Sequence, residues 1–510
     1  MALDGRLLNN IKTIQVGTEI AFSGVGQHSR ILLPWRAAIN STNKNKNHRH
    51  RGAVLLTIMA AFFSVAQAPA QVSQGSAAIR GSVPSGPAND AVLQLTLRDA
   101  VQQALRYNLA SIETDENIRM ARGQRLLALS RLLPNISAGA SESVVQSNLA
   151  LYGLKLPGIS NVIGPYSYTT LEANASQTLF SFESIQRFRA ARTAEQAARL
   201  SYNDILDAVT LTVGNAYLQV IAADSRIQAA EAQVKNAKAL YDQALDQVQA
   251  GTAPRIDATR TSVQLHTEEY NLSIAQNNFA IAKLGLSRAI GLPLGQQFQL
   301  AETFPYSAIN PGTLNAALNT AYSSRSDFCS AIELEKAAGQ SLSAAKAERY
   351  PIAAVDGSYG DVGKTLGHSH GEFTFQSGVQ IPVFTGGRIK GDITQAEAEL
   401  KQRKAEAENV RGQVDYDVRT AFLNLNAAKE QVTVATQNVS LANENLDRSK
   451  DRYASGVTDS VEVVQAEQAL ASANDQYISS LYSHNLAKLS LVRALGLART
   501  NYDRYLGEKK

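Results

Sequence analysis

The feature that most constrains this chain is an internal repeat: residues 95–297 and 312–502 match each other. At first the two copies run at an offset of 217. Thr96-Leu97 matches Thr313-Leu314, Ala100 matches Ala317, Ala104 matches Ala321, and Pro134 matches Pro351. Later the offset falls to 204–205. Leu179-Phe180 then matches Val383-Phe384, Gly251 matches Gly456, and KLGLSRAIGL (283–292) matches KLSLVRALGL (488–497). The change places about 12 extra residues in the first copy, between Pro134 and Phe180, where 148–164 is rich in Gly, Pro, Asn and Tyr.

Each copy reads helix, strand, strand, long helix, helix. In the first copy the predicted helices are about 96–132, 183–250 and 255–291, with strands at about 135–147 and 166–180. In the second the helices are about 313–349, 388–454 and 459–497, with strands at about 351–360 and 372–384. Around them lie a leader (1–70), a flexible segment (71–94), a linker (298–311) and a C-terminal tail (503–510). In the first long helix, Ile227, Ala230, Val234, Ala237, Tyr241, Ala244 and Val248 step by three and four. Val432, Ala435, Val439, Ala442, Leu446, Ser449 and Tyr453 repeat those steps in the second. This is heptad packing, with small residues that let helices approach closely. A helix of about 67 residues is about 100 Å long at 1.5 Å per residue. Each return helix is half that length, so the helix at 96–132 and its counterpart at 313–349 must stack on the return helices to cover the long ones.

The strands alternate. Phe373, Phe375, Val379, Ile381 and Val383 oppose Thr374, Gln376, Gln380 and Pro382. Leu171, Ala173, Ala175 and Leu179 oppose Thr170, Glu172, Asn174 and Ser176, and Ala353, Val355 and Tyr359 oppose Asp356 and Ser358. Segments of about ten alternating residues with aromatic ends suit a transmembrane barrel, although a half-buried soluble sheet has the same period. Four strands cannot close a barrel, and open edges cannot sit in lipid. Strands that span a membrane here therefore require an oligomer, and three copies supply twelve strands.

The leader points to export. KNKNHRHR (44–51) is a basic n-region, GAVLLTIMAAFFSVA (52–66) an apolar h-region, and Ala66, Ala68 and Ala70 supply small residues for cleavage near Ala68 or Ala70. The segment 1–43 before it is either an unusually long n-region or a misassigned start. No cysteine lies near the cleavage site, which excludes lipid anchoring there, and the single Cys329 excludes a disulfide framework. Residues 1–70 carry eight Lys/Arg and two acids, and the remainder carries 41 basic against 43 acidic residues. A body so near neutrality gives no electrostatic case for nucleic-acid binding.

Taken together, the repeat, the four strands and the helix lengths resemble the TolC-like outer-membrane channels of efflux pumps and type I secretion systems, over about residues 93–502. The run IPVFTGGRI (381–389) is similar to the family's lead from its last strand into the long helix. AGTAPRIDATR (250–260) and YASGVTDSVEVVQAE (453–467) are similar to its helical hairpin tips. The resemblance implies a mainly α fold with β: a homotrimer whose shared 12-strand barrel in the lipid bilayer continues into a long α-helical, coiled-coil barrel in the periplasm of a Gram-negative-type bacterium. It implies a passive exit duct for small molecules or proteins, closed at the tips like an iris, with a periplasmic adaptor and an inner-membrane pump as partners.

Position by position, Tyr453 and Gly456 match the family's aperture. Thr458 stands where the family has Arg, while Glu462 and Gln465 replace two Asp, and Asp257 matches an acidic partner of the Arg. The resemblance thus implies a gate with an acidic, cation-binding ring at Glu462 that has lost the latch cation and is held by Tyr453 hydrogen bonds and packing. The alternative for Glu462 is a solvated charge near a helix N-terminus, where acids are favourable anyway. Gly251, Thr252, Gly456 and Val457 are the expected adaptor-contacting tips, and Asp459 reads as an N-cap.

No GxSxG, HExxH, P-loop or GxGxxG stands in a sensible context, so neither an enzyme nor a cofactor site is expected. His368-Ser369-His370 reads as a solvated loop, and two ligands make a weak metal site. The competing reading of the chain is a soluble periplasmic coiled-coil scaffold or adaptor, which has no need of four alternating strands.

Overall fold

A computed structural model describes residues 79, 81–153, 157–158, 160–302, 306–309 and 311–506. The leader at 1–70 and its cleavage site lie outside the described residues, as do parts of the 148–164 loop, the linker and the tail.

Two sets of elements follow each other along the chain. The first is β1 (Leu93–Leu95), α1 (Leu97–Tyr107), α2 (Leu109–Ser130), β2 (Asn135–Asn148), β3 (Val162–Phe180), α3 (Phe182–Gln249) and α4 (Arg255–Ile290). The second is β4 (Phe298–Leu300), α5 (Leu314–Ser324), α6 (Ser326–Ala347), β5 (Ile352–Gly363), β6 (Ser369–Gln380), α7 (Arg388–Ala454), α8 (Ser460–Ala494) and α9 (Ala498–Leu506). The long helices α3 and α7 have 68 and 67 residues. Residues at heptad positions form their seams: Ala230, Ala237 and Ala244 in α3, and Val432, Ala435, Leu446, Ser449 and Tyr453 in α7, are all buried. The most apolar stretch of α3, which holds Val209, Val213, Leu218, Val220 and Ile221, is core surface, with all five side chains buried.

The helices expected at 96–132 and 313–349 are each broken in two. The breaks fall at matching positions of the two copies, Asn108 (φ −68°, ψ 133°) and Arg325 (φ −67°, ψ 118°), where the backbone turns extended. Asn108 is fully buried; its Oδ1 accepts the Ala110 amide at 3.0 Å and its Nδ2 donates to the Ile79 carbonyl at 2.7 Å. A short polar side chain that satisfies a fresh helix N-terminus makes the break cheap. Arg325 is also buried, and it donates to Asp327 at 2.6 Å and to Asp417 of α7 at 2.7 Å. Burial alone would lower its pKa, but the Asp327 and Asp417 carboxylates outweigh burial and hold it above the ordinary arginine value. Arg493 of α8 pairs with Asp204 of α3, and the Arg499 amide donates to Asp207 at 2.9 Å. Ion pairs thus link α6 to α7 and α3 to α8, around two apolar clusters. One packs α1, α3 and α4 through Leu97, Val213, Tyr217, Leu218, Leu286 and Ile290. The other packs α5, α7 and α8 through Leu318, Val414, Val418, Leu425 and Leu491.

Two segments expected to be unstructured carry strands. Within the flexible segment at 71–94 and the linker, β1 and β4 pair in parallel, Leu93 with Phe298 and Leu95 with Leu300. Their side chains Leu95 and Phe298 enter the first apolar cluster, so the pairing is fixed by burial. The tail is likewise partly helical, since α9 runs to Leu506.

The remaining strands form one antiparallel sheet in the order β2-β3-β5-β6. Register aligns Ala138, Ala173, Tyr359 and Phe373 in one row and Ile136, Ala175, Gly357 and Phe375 in another. The opposite face carries Ser137, Asn174, Ser358 and Thr374, then Asn135, Ser176, Asp356 and Gln376. The apolar face is open, with Phe373 77% and Phe375 70% exposed. Four boundaries differ from expectation, the first being β5, which runs on to Gly363. β3 begins at Val162 and pairs with β2 as far as Asn148. β6 ends at Gln380, so Ile381–Phe384 lie outside the strand, after the last register partner Ile352. β6 also starts at Ser369, which places His370 opposite Val362 in the sheet and leaves only His368 in the connecting turn.

Gly496 closes the α8–α9 corner with φ +71°, and a Cβ built there would lie 2.8 Å from the Arg325 backbone nitrogen and Cα. Gly496→Ala adds left-handed strain to a clash with backbone that cannot move away. The expected loss is about 2 kcal/mol or more, read as a lowered thermal midpoint of the purified protein by circular dichroism.

Candidate functional site at the helical hairpin tips

Both long helices end in the same turn. The amide of Gly251 donates to the Val248 carbonyl at 3.1 Å and that of Thr252 to Gln247 at 2.9 Å. The amide of Gly456 donates to Tyr453 at 3.0 Å and that of Val457 to Arg452 at 3.0 Å. These paired bonds are Schellman motifs, which need a left-handed residue; Gly251 (φ +76°) and Gly456 (φ +69°) supply it. Asp459 caps α8, its carboxylate accepting the Val461 amide at 3.1 Å, while Pro254 precedes α4 without a side-chain cap. The expected adaptor-contacting residues Gly251, Thr252, Gly456 and Val457 are all exposed at these turns.

Below the turns the two hairpins meet through polar side chains. Asp257, in the first turn of α4, is buried and accepts the hydroxyl of Ser460, the first residue of α8, at 2.8 Å. Arg260 lies 3.6 Å from the same carboxylate oxygen. Glu462 is half-buried and accepts the Thr458 hydroxyl at 2.6 Å and the Ser449 hydroxyl at 3.4 Å, and Arg452 reaches it at 3.5 Å. Tyr453 is buried with Leu240, Leu446 and Val463, and its hydroxyl has no hydrogen-bond partner among the described residues. Burial, with the Asp257 and Asp459 charges nearby, pushes its pKa up. Gln465 is exposed and stands apart from this cluster.

Two expectations are corrected here. The tip has not lost its cations: Arg452, one residue before Tyr453, and Arg260, three after Asp257, supply them from neighbouring turns. Within the protomer Asp257 is bridged by Ser460, and Tyr453 contributes packing.

Sequence reasoning missed the polar seam that continues upward. The buried residues of α4 near the tip are Asp257, Thr261, Gln264 and Glu268, at steps of four, three and four. Gln264 donates to Glu268 at 2.6 Å, and Asn271 to the other oxygen at 3.2 Å. Facing them, Glu467 of α8 is buried, and neither of its carboxylate oxygens has a hydrogen-bond partner among the described residues. The available signal was a carboxylate at core spacing, four residues after Val463 and three before Leu470. Burial pushes its pKa up to about 7; Lys450 opposes the shift and Glu268 adds to it.

The comparisons with known proteins agree with this architecture. A family model described as "Outer membrane efflux protein" matches residues 100–292 and 317–497. The chain belongs to the outer membrane efflux protein family. It is similar to the pyoverdine export outer membrane protein OpmQ of Pseudomonas putida, 22% identical over 74% of this chain and 81% of the relative. It is also similar to the outer membrane protein TolC of Salmonella enteritidis, 22% identical over 72% of this chain and 75% of the relative. In structure it is similar to the CmeC outer membrane channel of Campylobacter jejuni, with a TM-score of 0.71 and 16% identity over 83% of this chain and 92% of that one. The TolC-like resemblance is borne out, and the chain is an outer-membrane efflux channel protein.

The Glu467 shift has a signed consequence. A carboxylate whose folded pKa lies above its unfolded value stabilises the fold at low pH, and that contribution is lost as pH rises from about 4.5 to about 7. Thermal midpoints are therefore expected to fall across this window, by the equivalent of about 3 kcal/mol. Glu467→Gln, which stays neutral, is expected to flatten that dependence.

Proposed function

We propose that three copies of this chain form one passive duct, in which three four-stranded sheets close a 12-strand barrel across the outer membrane and the helices continue it as a periplasmic tunnel. The observation that carries this reading is the sheet itself. Among the described residues its outer strands β2 and β6 each have one free edge, and its exposed face is apolar. Unpaired strand edges are too costly to leave in lipid, so neighbouring copies must cover them. Twelve strands enclose a bore, and the polar rows around Asn174 and Asp356 then line it. The two segments matched by one family model support a tandem duplication as the origin of the fold.

In this reading the tips are the gate. The Asp257–Ser460 bond ties the α4 end of one hairpin to the α8 end of the other, and Glu462, with Thr458 and Arg452, forms the acidic ring around the aperture, which Tyr453 backs and Gln465 lines. A periplasmic adaptor engages the exposed turns at Gly251–Thr252 and Gly456–Val457, and an inner-membrane pump supplies the energy. The cargo class is small molecules, as the name of the pyoverdine export relative supports.

Two measurements test this. Cells lacking the gene are expected to retain more of a fluorescent efflux dye, and the restored gene to reverse it. In planar bilayers the purified protein is expected to conduct, and the double variant Asp257→Ala/Ser460→Ala to conduct several-fold more because the joint between hairpins is cut. A purified protein that stays monomeric, is released from membranes by carbonate and gives no conductance would sink the duct reading in favour of a soluble scaffold.

A further inference from the structure

An excess of positive over negative charge gathers where sheet meets helices. All four strands present one end to the helical part: Asn135 after α2, Phe180 before α3, Ile352 after α6, and Gln380 before α7. The flanking segments 121–134, 181–192, 340–351 and 381–392 hold ten Lys/Arg and three Asp/Glu. Residues 71–510 as a whole carry a small acidic excess, so this collar is a local feature. Its three acids are already paired: Glu183 and Glu348 with Arg187, and Glu348 and Asp392 with Arg388. Arg131, Arg189, Arg192, Arg349 and Lys390 are exposed and make no ion pair among the described residues.

An apolar band adjoins the collar on the sheet side. Phe180 and Phe182 meet edge to face at 4.5 Å between ring centres, and Phe182 stacks toward Tyr350 at 5.4 Å. All three rings are at least 44% exposed, and Val383 and Phe384 are 93% and 89% exposed. Rings in such a band have an apolar body suited to the edge of hydrocarbon. Arg131 lies four residues before Asn135 and Arg349 three before Ile352, both in the short segment between a helix and its strand. A guanidinium there reaches phosphate bidentately while its stem lies along apolar surface.

We propose that this collar is a docking surface for anionic phospholipid, with headgroup phosphates of the leaflet on the helical side held by Arg131, Arg189, Arg349 and Lys390. The choice of occupant follows from charge complementarity and from position: uncompensated cations stand beside an exposed aromatic band at the level where a membrane-crossing sheet leaves hydrocarbon. A zwitterionic surface offers no net attraction to them, and a soluble anion has no use for the aromatic band. The proposal rests on the reading that the sheet crosses the membrane.

The test uses the full-length protein in mild detergent, offered an equimolar mixture of phosphatidylglycerol and phosphatidylcholine, with retained lipids counted by native mass spectrometry. The expected result is several-fold preferential retention of phosphatidylglycerol, lost in the triple variant Arg131→Gln/Arg349→Gln/Lys390→Gln and unmoved by 10 mM inorganic phosphate. Planar-bilayer conductance of the variant is expected to equal that of the parent. Equal retention of the two lipids, an unchanged preference in the variant, or displacement by free phosphate each overturns the proposal. Conductance read in the same preparation keeps the two readings apart: a conducting protein without lipid preference loses only the collar, whereas a protein that never inserts loses the duct.

Discussion

Lateral support for the two long helices, of 68 and 67 residues, is the constraint on which the rest of this structure depends. A helix of that length cannot be held by its ends; it needs a packed neighbour along about 100 Å. The chain meets the requirement with small residues at the seam, such as Ala230, Ala237 and Ala244 in α3 and Ala421, Ala428 and Ala435 in α7. Alanine gives little burial per residue but lets backbones approach, so each turn contributes a modest increment and the sum is distributed over the whole helix. No single position is decisive along the shaft. The decisive positions are at the places where the regular pattern stops, namely the breaks at Asn108 and Arg325 and the hairpin turns.

Buried polar groups occur at more than one level of the seam. In the middle Val213, Tyr217, Leu218 and Leu286 pack together, and His484, Asn485 and Lys488 of α8 are buried as well. Toward the tips Thr261, Gln264, Glu268, Ser449 and Glu467 are buried beside the apolar Leu240, Leu446, Val463 and Leu470. A buried polar group holds a seam together only while its hydrogen bonds are satisfied, and neither the Glu467 carboxylate near the tips nor the Lys488 ammonium in the middle has a partner among the described residues.

Much of the fold was legible in the sequence, for identifiable physical reasons. The heptad steps at 227–248 and 432–453 and the alternation at 373–379 are periodicities imposed by helix and strand geometry, and both survive in the structure. The stops were harder to read. Asn108 and Arg325 break helices whose periodicity continues through them, and the reasons, a carbonyl at Ile79 and a carboxylate at Asp417, are remote in sequence. The β1–β4 pair was missed for the same reason: two very short strands, one at each end of the first copy, have no periodicity to show. At the tips, alignment with a known pattern located Asp257, Tyr453 and Glu462 but suggested a missing cation, because position-by-position comparison looks only at the replaced residue. Arg452 and Arg260 restore the charge from the adjacent turn.

The β1–β4 pair has a consequence for how the chain reaches this structure. The helical hairpins are local: α3 with α4 and α7 with α8 join through short turns and can form as soon as their own segments are available. The parallel pair must instead bring Leu93 beside Phe298, closing a span as long as the whole first copy with one very short strand on each side. Closure on that scale is entropically expensive until the intervening hairpin has already shortened the path. The clasp is therefore expected to form after the first half has folded. It then holds the two ends of that half side by side, so the first half is a closed ring in the topological sense, with both ends emerging at one point and the second half following from it.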